Sequence, residues 1–145
     1  MNGGSLGPEV GLLEVGRDMK IPVNQETVND IAKLMMHRLI SREIGRDPSL
    51  VERARVSHAR TARLYAGRPF VREWDDLLKL PPARLRAKLI SREADMVRLR
   101  ASSPFPLTAG IDFTDYGLRL RIRRAARRVV ERSLGCGSRL PDPVM

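Results

Sequence analysis

The residues best suited to binding chemistry are the arginines near the carboxyl end of the chain. Positions 119–132 contain seven arginines and one acidic residue, Glu131, so these fourteen residues carry a formal charge of +6, seven minus one. Guanidinium groups bind phosphate and carboxylate oxygens in a bidentate manner. The pattern predicts a surface that binds an anionic partner and consists of Arg119, Arg121, Arg123, Arg124, Arg127, Arg128 and Arg132.

A helix over this segment spreads the arginines around most of its circumference and leaves one apolar stripe. The stripe consists of Leu118, Ile122, Ala125 and Val129. Like charges at this spacing repel one another, and an anionic partner would relieve the repulsion. The competing interpretation is a solvated face whose arginines pair with acids of the same chain, namely Asp30, Glu73, Asp75 and Asp76.

Groups that could catalyse a reaction or hold a metal are few. The two histidines, His37 and His58, belong to no metal-binding pair, and we expect each to be a surface or interface residue. The single cysteine, Cys136, excludes an internal disulfide and a multi-thiolate zinc site. No glycine-rich phosphate loop is present. The sequence therefore predicts a protein that is not an enzyme and uses no cofactor and no metal.

The overall charge agrees with an anionic partner. The chain has a formal charge of +10, and its sequence pI is about 11.1. Such a balance favours nucleic acid, an acidic protein surface or a membrane face. With no secretory segment and no long apolar run, the chain is expected to be cytoplasmic and not a membrane protein. The sequence is also compatible with a homo-oligomer.

The elements that position these residues are predicted to be helices, in an all-α bundle of five to six short members. Asn24 is a good N-cap for a first helix, whose stripe is Val28, Ala32, Met35 and Leu39. Asp47 and Pro48 begin a second helix. Its inner stripe is Val51, Ala54, His58, Ala62 and Tyr65.

The third helix, over residues 68–80, is predicted to be the hub of the bundle because it holds the only tryptophan. Its expected core residues are Phe70, Trp74, Leu77 and Leu78. A fourth helix begins at Pro82 and turns Leu85, Leu89 and Ile90 inward, and a short fifth helix is capped by Ser91. A loop then lies on the core through Phe105, Leu107, Ile111 and Phe113.

The last helix is predicted to open at Thr114 and to end at Gly135. The chain is thereby divided into a flexible arm over residues 1–22, a helical domain over 23–135 and a flexible tail over 136–145. The string LISRE occurs at 39–43 and again at 89–93. Its flanks do not match, so the repetition is interpreted as coincidence.

Two strings, FVREWDDLL from Phe70 and RLRASSPF from Arg98, resemble a group of short, mostly uncharacterised bacterial proteins. That group shares a core of the form R-E-W-x-x-L-L followed by R-x-L/R-R-x-S-P-F, and its members are often encoded beside a second small gene in toxin–antitoxin-like pairs. The resemblance covers residues 70–105. It implies a regulatory partner protein and carries no catalytic residue.

Together these observations predict a non-enzymatic binding and regulatory module, the antitoxin-like member of a two-gene system. Its arginine-rich helix would meet an acidic protein or DNA, while an apolar surface of the first helix or the long loop docks the product of the neighbouring gene. One alternative is a nucleic-acid-binding protein that acts alone and without sequence preference. Another is a small toxin directed at RNA.

Overall fold

The computed structural model describes residues 23–139, and the side chains of residues 23–134. The predicted arm over residues 1–22 lies outside this range, as do residues 140–145 of the predicted tail. The described part of the chain contains no strand, which confirms the all-α class. Its helices are α1 (Gln25–Arg46), α2 (Leu50–Leu64), α3 (Pro69–Leu78), α4 (Pro82–Leu89), α5 (Ala94–Leu99) and α6 (Tyr116–Arg139), with a 3₁₀ turn at Arg100–Ser102.

Helix starts follow the local chemistry of the sequence. The Asn24 side chain accepts hydrogen bonds from the backbone N–H groups of Glu26 (2.8 Å) and Thr27 (3.2 Å), as predicted. Pro69 and Pro82 occupy first helical positions, where a missing N–H group costs nothing. For α6 the cap is Asp115 and not the predicted Thr114, because the Asp115 carboxylate accepts the N–H of Leu118 at 2.8 Å.

The end of α6 was predicted wrongly, because the helix passes Gly135 and continues to Arg139. A glycine ends a helix when it adopts the left-handed conformation. Among the described residues that conformation occurs at Gly67, with φ of 88°, and at Gly110, with φ of 77°. Gly135 instead stays helical, which a single glycine tolerates at a cost of about 1 kcal/mol relative to alanine.

The central element is α1, not the predicted hub α3. It packs against α2, α4, the 3₁₀ turn and α6, whereas α3 packs against α2 and α4. Three residues of its predicted stripe, Val28, Ala32 and Met35, face α6, but α1 also buries a second side that was not predicted. One side faces α6 through Val28, Ile31, Ala32 and Met35. The other side is buried among the remaining elements and consists of Leu34, His37, Ile40, Ser41 and Ile44.

The main core is a cluster of fourteen buried residues that run from Ile40 to Ala109 in the chain. Trp74 is fully buried there, with its ring centroid 6.2 Å from that of Phe105 in an edge-to-face arrangement. The predicted core positions Leu77 and Leu78 are also buried. Phe70 is only partly buried and packs at the edge of the cluster, because it lies in the first turn of α3.

A second, smaller cluster joins α6 to α1, and we call it the α6 cluster. Its buried residues are Val28, Ala126 and Val130, and the partly buried Val23, Ile31, Ala32, Met35 and Leu134 surround them. The two helices are antiparallel, since Gln25 lies beside Arg127 and Asn29 lies beside Arg123. This cluster positions the arginine-rich helix.

Several apolar side chains predicted to face inward are exposed. Leu107 in the long loop is 88% exposed, Tyr65 at the end of α2 is 49% exposed, and Ile90 just after α4 is 40% exposed. Each lies beyond the end of a helix, where the helical period no longer determines the side-chain direction. Phe105 is buried as expected. No helix in residues 23–139 is long and apolar enough to cross a bilayer.

Candidate anion-binding surface

The predicted arginine surface follows the part of α6 that is not buried against α1. All seven arginines of this surface are exposed. They form two rows along the helix. The row beside α1 consists of Arg119, Arg123 and Arg127, at intervals of four residues, and the outer row consists of Arg121, Arg124, Arg128 and Arg132. The intervals of the outer row are three, four and four residues. Four helical residues correspond to about 6 Å along the axis, so each row presents cations about one helical turn apart.

Two arginines of the inner row are held in place by neutral amides. Arg123 Nη1 donates to Asn29 Oδ1 at 3.1 Å, and Arg127 Nη2 donates to Gln25 Oε1 at 3.2 Å. Gln25 Nε2 also donates to Asn29 Oδ1 at 3.3 Å. An amide oxygen orients a guanidinium group but carries no compensating negative charge. The positive charge of the row is therefore retained.

Two of the four acids that could have paired with this surface have other partners. Glu73 accepts two hydrogen bonds from Arg98, at 3.0 and 2.8 Å, and Asp75 Oδ1 lies 3.0 Å from His58 Nε2. Asp30 lines a cavity between α1, α6 and the segment of α5. Within residues 23–134, no salt bridge joins any of the seven arginines to a carboxylate. The described acids therefore do not neutralise the surface.

His37 was expected at the surface or at an interface, but it is 1% exposed. Its Nδ1–H donates to the carbonyl of Lys33 at 2.7 Å, because a carbonyl oxygen can only accept. Nε2 is therefore unprotonated and accepts the hydroxyl of Ser103 at 2.8 Å. Burial lowers the pKa of His37 to about 4. His37 is a neutral residue that ties α1 to the segment after the 3₁₀ turn.

His58 was also expected at the surface or at an interface and is 4% exposed. Its Nε2 lies 3.0 Å from the carbonyl oxygen of Val71 and 3.0 Å from Asp75 Oδ1, so a single N–H group serves both acceptors. The histidine thereby joins α2 to α3. No group of three or more His, Cys, Asp or Glu that could hold a metal occurs in the described part of the chain.

The residues that carry the family resemblance contact one another. Glu73 pairs with Arg98, and this pairing keeps the pKa of the Glu73 carboxyl below its usual range. Trp74 Nε1 donates to Ser102 Oγ and to the Leu99 carbonyl, both at 3.1 Å, and its ring packs against Phe105. The two strings therefore join α3 to the α5–3₁₀ segment. This arrangement gives them a structural role.

Arg100, within the second string, was not recognised from the sequence as different from the surface arginines. It is 4% exposed, and its Nη1 donates to the carbonyls of Leu89 (3.0 Å) and Ser91 (2.8 Å). Its Nε is buried without a hydrogen-bond partner. Burial lowers the pKa of this guanidinium. The only signal in the sequence was its position between apolar Leu99 and the SSPF turn.

Comparisons of the chain with models of protein families, with curated proteins and with solved structures found no match. The functional interpretation therefore depends on the contacts and charges described above.

Proposed function

We propose that this protein is a non-enzymatic binding and regulatory module that meets the phosphate backbone of DNA through α6. The observation that carries the proposal is the charge of this helix: seven exposed arginines, with no described carboxylate among their partners. Phosphate contacts from arginine supply most of the affinity in sequence-independent binding. The resemblance to toxin–antitoxin-like pairs supports a regulatory role for this binding.

The width of the arginine surface favours a duplex over a flat acidic patch. The inner and outer rows lie on different flanks of α6, so both flanks carry positive charge. A helix about 10–12 Å across fits a major groove about 12 Å wide, in which phosphates border both sides. Residues 116–132 contain no Asn or Gln that would read adenine, although arginine can read guanine in this groove. The proposal assigns the arginines to phosphates, which carry no sequence information, so binding is expected to depend little on base sequence.

An acidic protein partner is the second candidate, and the apolar side chains near the start of α6 favour it. Leu107 is 88% exposed and Tyr116 is 75% exposed, and they precede Arg119, the first arginine of the surface, by twelve and three residues. Exposed aromatic and aliphatic side chains beside a charged rim are typical of protein interfaces. In this case the partner would be the product of a neighbouring gene.

A triple variant separates these candidates. Arg121, Arg124 and Arg128 are changed together to Gln, which keeps the helix propensity and removes three charges of the outer row. The matched control changes three exposed arginines outside the surface to Gln, namely Arg60, Arg63 and Arg84. Both variants have the same net charge. Circular dichroism checks that both are folded, and fluorescence polarisation measures binding to two unrelated duplexes over a range of salt concentrations.

If α6 binds DNA, the triple variant loses affinity equally for both duplexes. The slope of log affinity against log salt then falls by up to about 0.9 for each lost contact. The control variant keeps most of its affinity and its slope. Equal losses in both variants would show that net charge alone causes binding, and the proposal would be wrong. A variant that binds DNA normally but no longer binds the neighbouring gene product would favour the protein partner.

A further inference from the structure

A cavity of about 470 Å³ lies between α1, α6 and the segment that holds α5 and the 3₁₀ turn. This volume is within the range of about 300–1,000 Å³ that is typical of small-molecule sites. Its apolar wall is contributed by three of these elements and consists of Ile31, Leu34, Val97, Val129, Val130 and Leu134. Such a wall suits the hydrocarbon part of a ligand and not a bare inorganic ion.

The polar side chains of the cavity have an excess of positive charge. Arg92 and Arg100 line it together with one acid, Asp30, so the described charged groups sum to one positive charge. Asp30 forms no salt bridge with either arginine, although its charge favours the protonated form of Arg100. A guanidinium group that is removed from water without a paired anion is energetically unfavourable.

Arg100 gives the cavity its specific chemistry. The side chain is 96% buried, since 4% of its surface is exposed, and its Nε has no hydrogen-bond partner. Nη1 donates to the carbonyls of Leu89 and Ser91, so the orientation of the planar group is fixed while Arg100 lines the cavity. A carboxylate is the usual partner of such a group, because its two oxygens match neighbouring N–H donors.

We propose that this cavity binds a small organic anion, with a carboxylate directed at Arg100 and Arg92 and an apolar body against the wall formed by α1 and α6. The site does not depend on the function proposed for the arginine surface. Its occupant would contact both α1 and α6, so binding would add to the few apolar contacts that join these helices. A ligand that binds only the folded state raises the melting temperature.

The test uses the full chain and two probes of equal length, decanoate and decanol. Titration calorimetry measures the dissociation constant, and thermal denaturation measures the melting temperature at increasing probe concentration. Decanoate should bind saturably and raise the melting temperature. Decanol has the same hydrocarbon body without a carboxylate, so its affinity should be at least about tenfold weaker, the loss expected for a charge-assisted hydrogen bond.

Three variants locate the site. Val129→Trp fills the cavity from α6 and should abolish decanoate binding without removing a charge. Arg92→Gln tests the exposed arginine of the pair, and Arg100→Gln tests the buried one. Each should weaken decanoate binding and leave decanol binding unchanged. Arg84→Gln, an exposed arginine that does not line the cavity, is the control and should bind decanoate normally.

If Arg100→Gln fails to fold, the Arg92→Gln and Val129→Trp variants still decide the outcome. Decanol binding as tight as decanoate binding would overturn the proposal, as would decanoate binding that survives Val129→Trp. Absence of saturable decanoate binding to the full chain would also overturn it. If decanoate does not bind, and the wild type is a dimer that Val129→Trp converts to a monomer, then the cavity is a contact site for a second copy of the chain.

Discussion

The two sides of α1 are covered in very different ways. One side contributes to the main core, whose fourteen buried residues include Trp74 and Phe105. The other side meets α6 through a cluster with only three buried residues, Val28, Ala126 and Val130. Apolar burial stabilises in proportion to area. The α6 cluster therefore buries fewer apolar residues than the main core, and α6 is expected to open locally before the main core unfolds.

The largest expected effect comes from emptying the main core. Trp74→Ala should lower the free energy of unfolding by about 3–5 kcal/mol, because it removes a fully buried ring and its hydrogen bonds to Leu99 and Ser102. Denaturant titration followed by circular dichroism measures the loss. Phe70→Ala, at the edge of the same cluster, should cost clearly less. Equal losses in the two variants would contradict the central position of Trp74.

The second effect is a loss of stability in acid that originates at His37. The folded pKa is about 4 and the unfolded pKa is about 6.5, so the unfolded state takes up the proton first as the pH falls. Stability is therefore complete above pH 6.5 and decreases between pH 6.5 and 4. The integrated loss is at most about 3.5 kcal/mol, at about 1.4 kcal/mol for each unit of pKa.

The measurement is the denaturant midpoint at several pH values across that window. His37→Gln removes the titrating group, so its midpoint should change much less between pH 6.5 and 4 than that of the wild type. This variant is also less stable at neutral pH, because it alters the hydrogen bond to Ser103. An unchanged pH dependence in the variant would place the acid sensitivity at other groups.

A smaller effect is expected in the α6 cluster. Val130→Ala removes two methyl groups from a nearly buried site, and we expect a loss of about 1–2 kcal/mol at roughly 0.8 kcal/mol for each group. The loss should be local. Hydrogen exchange should accelerate in α6, while amides of α3 keep their protection. Uniform acceleration throughout the molecule would show that α6 and the main core unfold together.

The smallest effect is expected at the pair of Glu73 and Arg98, although both hydrogen bonds are short. Water screens this pair, because Arg98 is exposed, so little stability is gained. Glu73→Gln should shift the melting temperature by less than Val130→Ala does. A larger shift than that would mean that the charge pair, and not the aromatic packing, joins α3 to the α5 segment.

Some signals that act within a few residues were predicted correctly from the sequence. The expected caps Thr114 and Ser91 were wrong, because Asp115 caps α6 and α5 begins at Ala94 after Glu93. Asn24 caps α1 and Pro82 begins α4, because each effect depends only on the backbone of its own turn. The arginine surface was predicted for the same reason, since charges at a helical spacing remain exposed wherever the helix packs. The burial of Trp74 followed from its size alone.

Features that depend on distant partners were not predicted. The two-sided burial of α1 requires α6, which lies far away in the chain, so its stripe could not be assigned from periodicity. His37 is buried, and the hydrogen bond that satisfies its Nε2 comes from Ser103, 66 positions away in the chain. The string LISRE is helical at 39–43, whereas at 89–93 it leaves α4 after Leu89. The same five residues therefore adopt different conformations in the two places, which agrees with the interpretation of the repetition as coincidence.

The main-core residues precede α6 in the chain, and this order has a consequence for folding during synthesis. All of its buried residues lie between Ile40 and Ala109, and α6 begins only at Tyr116. Because domains fold as the chain emerges from its amino end, the main core can form before the last helix has been released. During that interval the side of α1 that contains Val28 lacks its contacts with α6. The newly made chain is thus most prone to aggregation between the release of the main core and the release of α6.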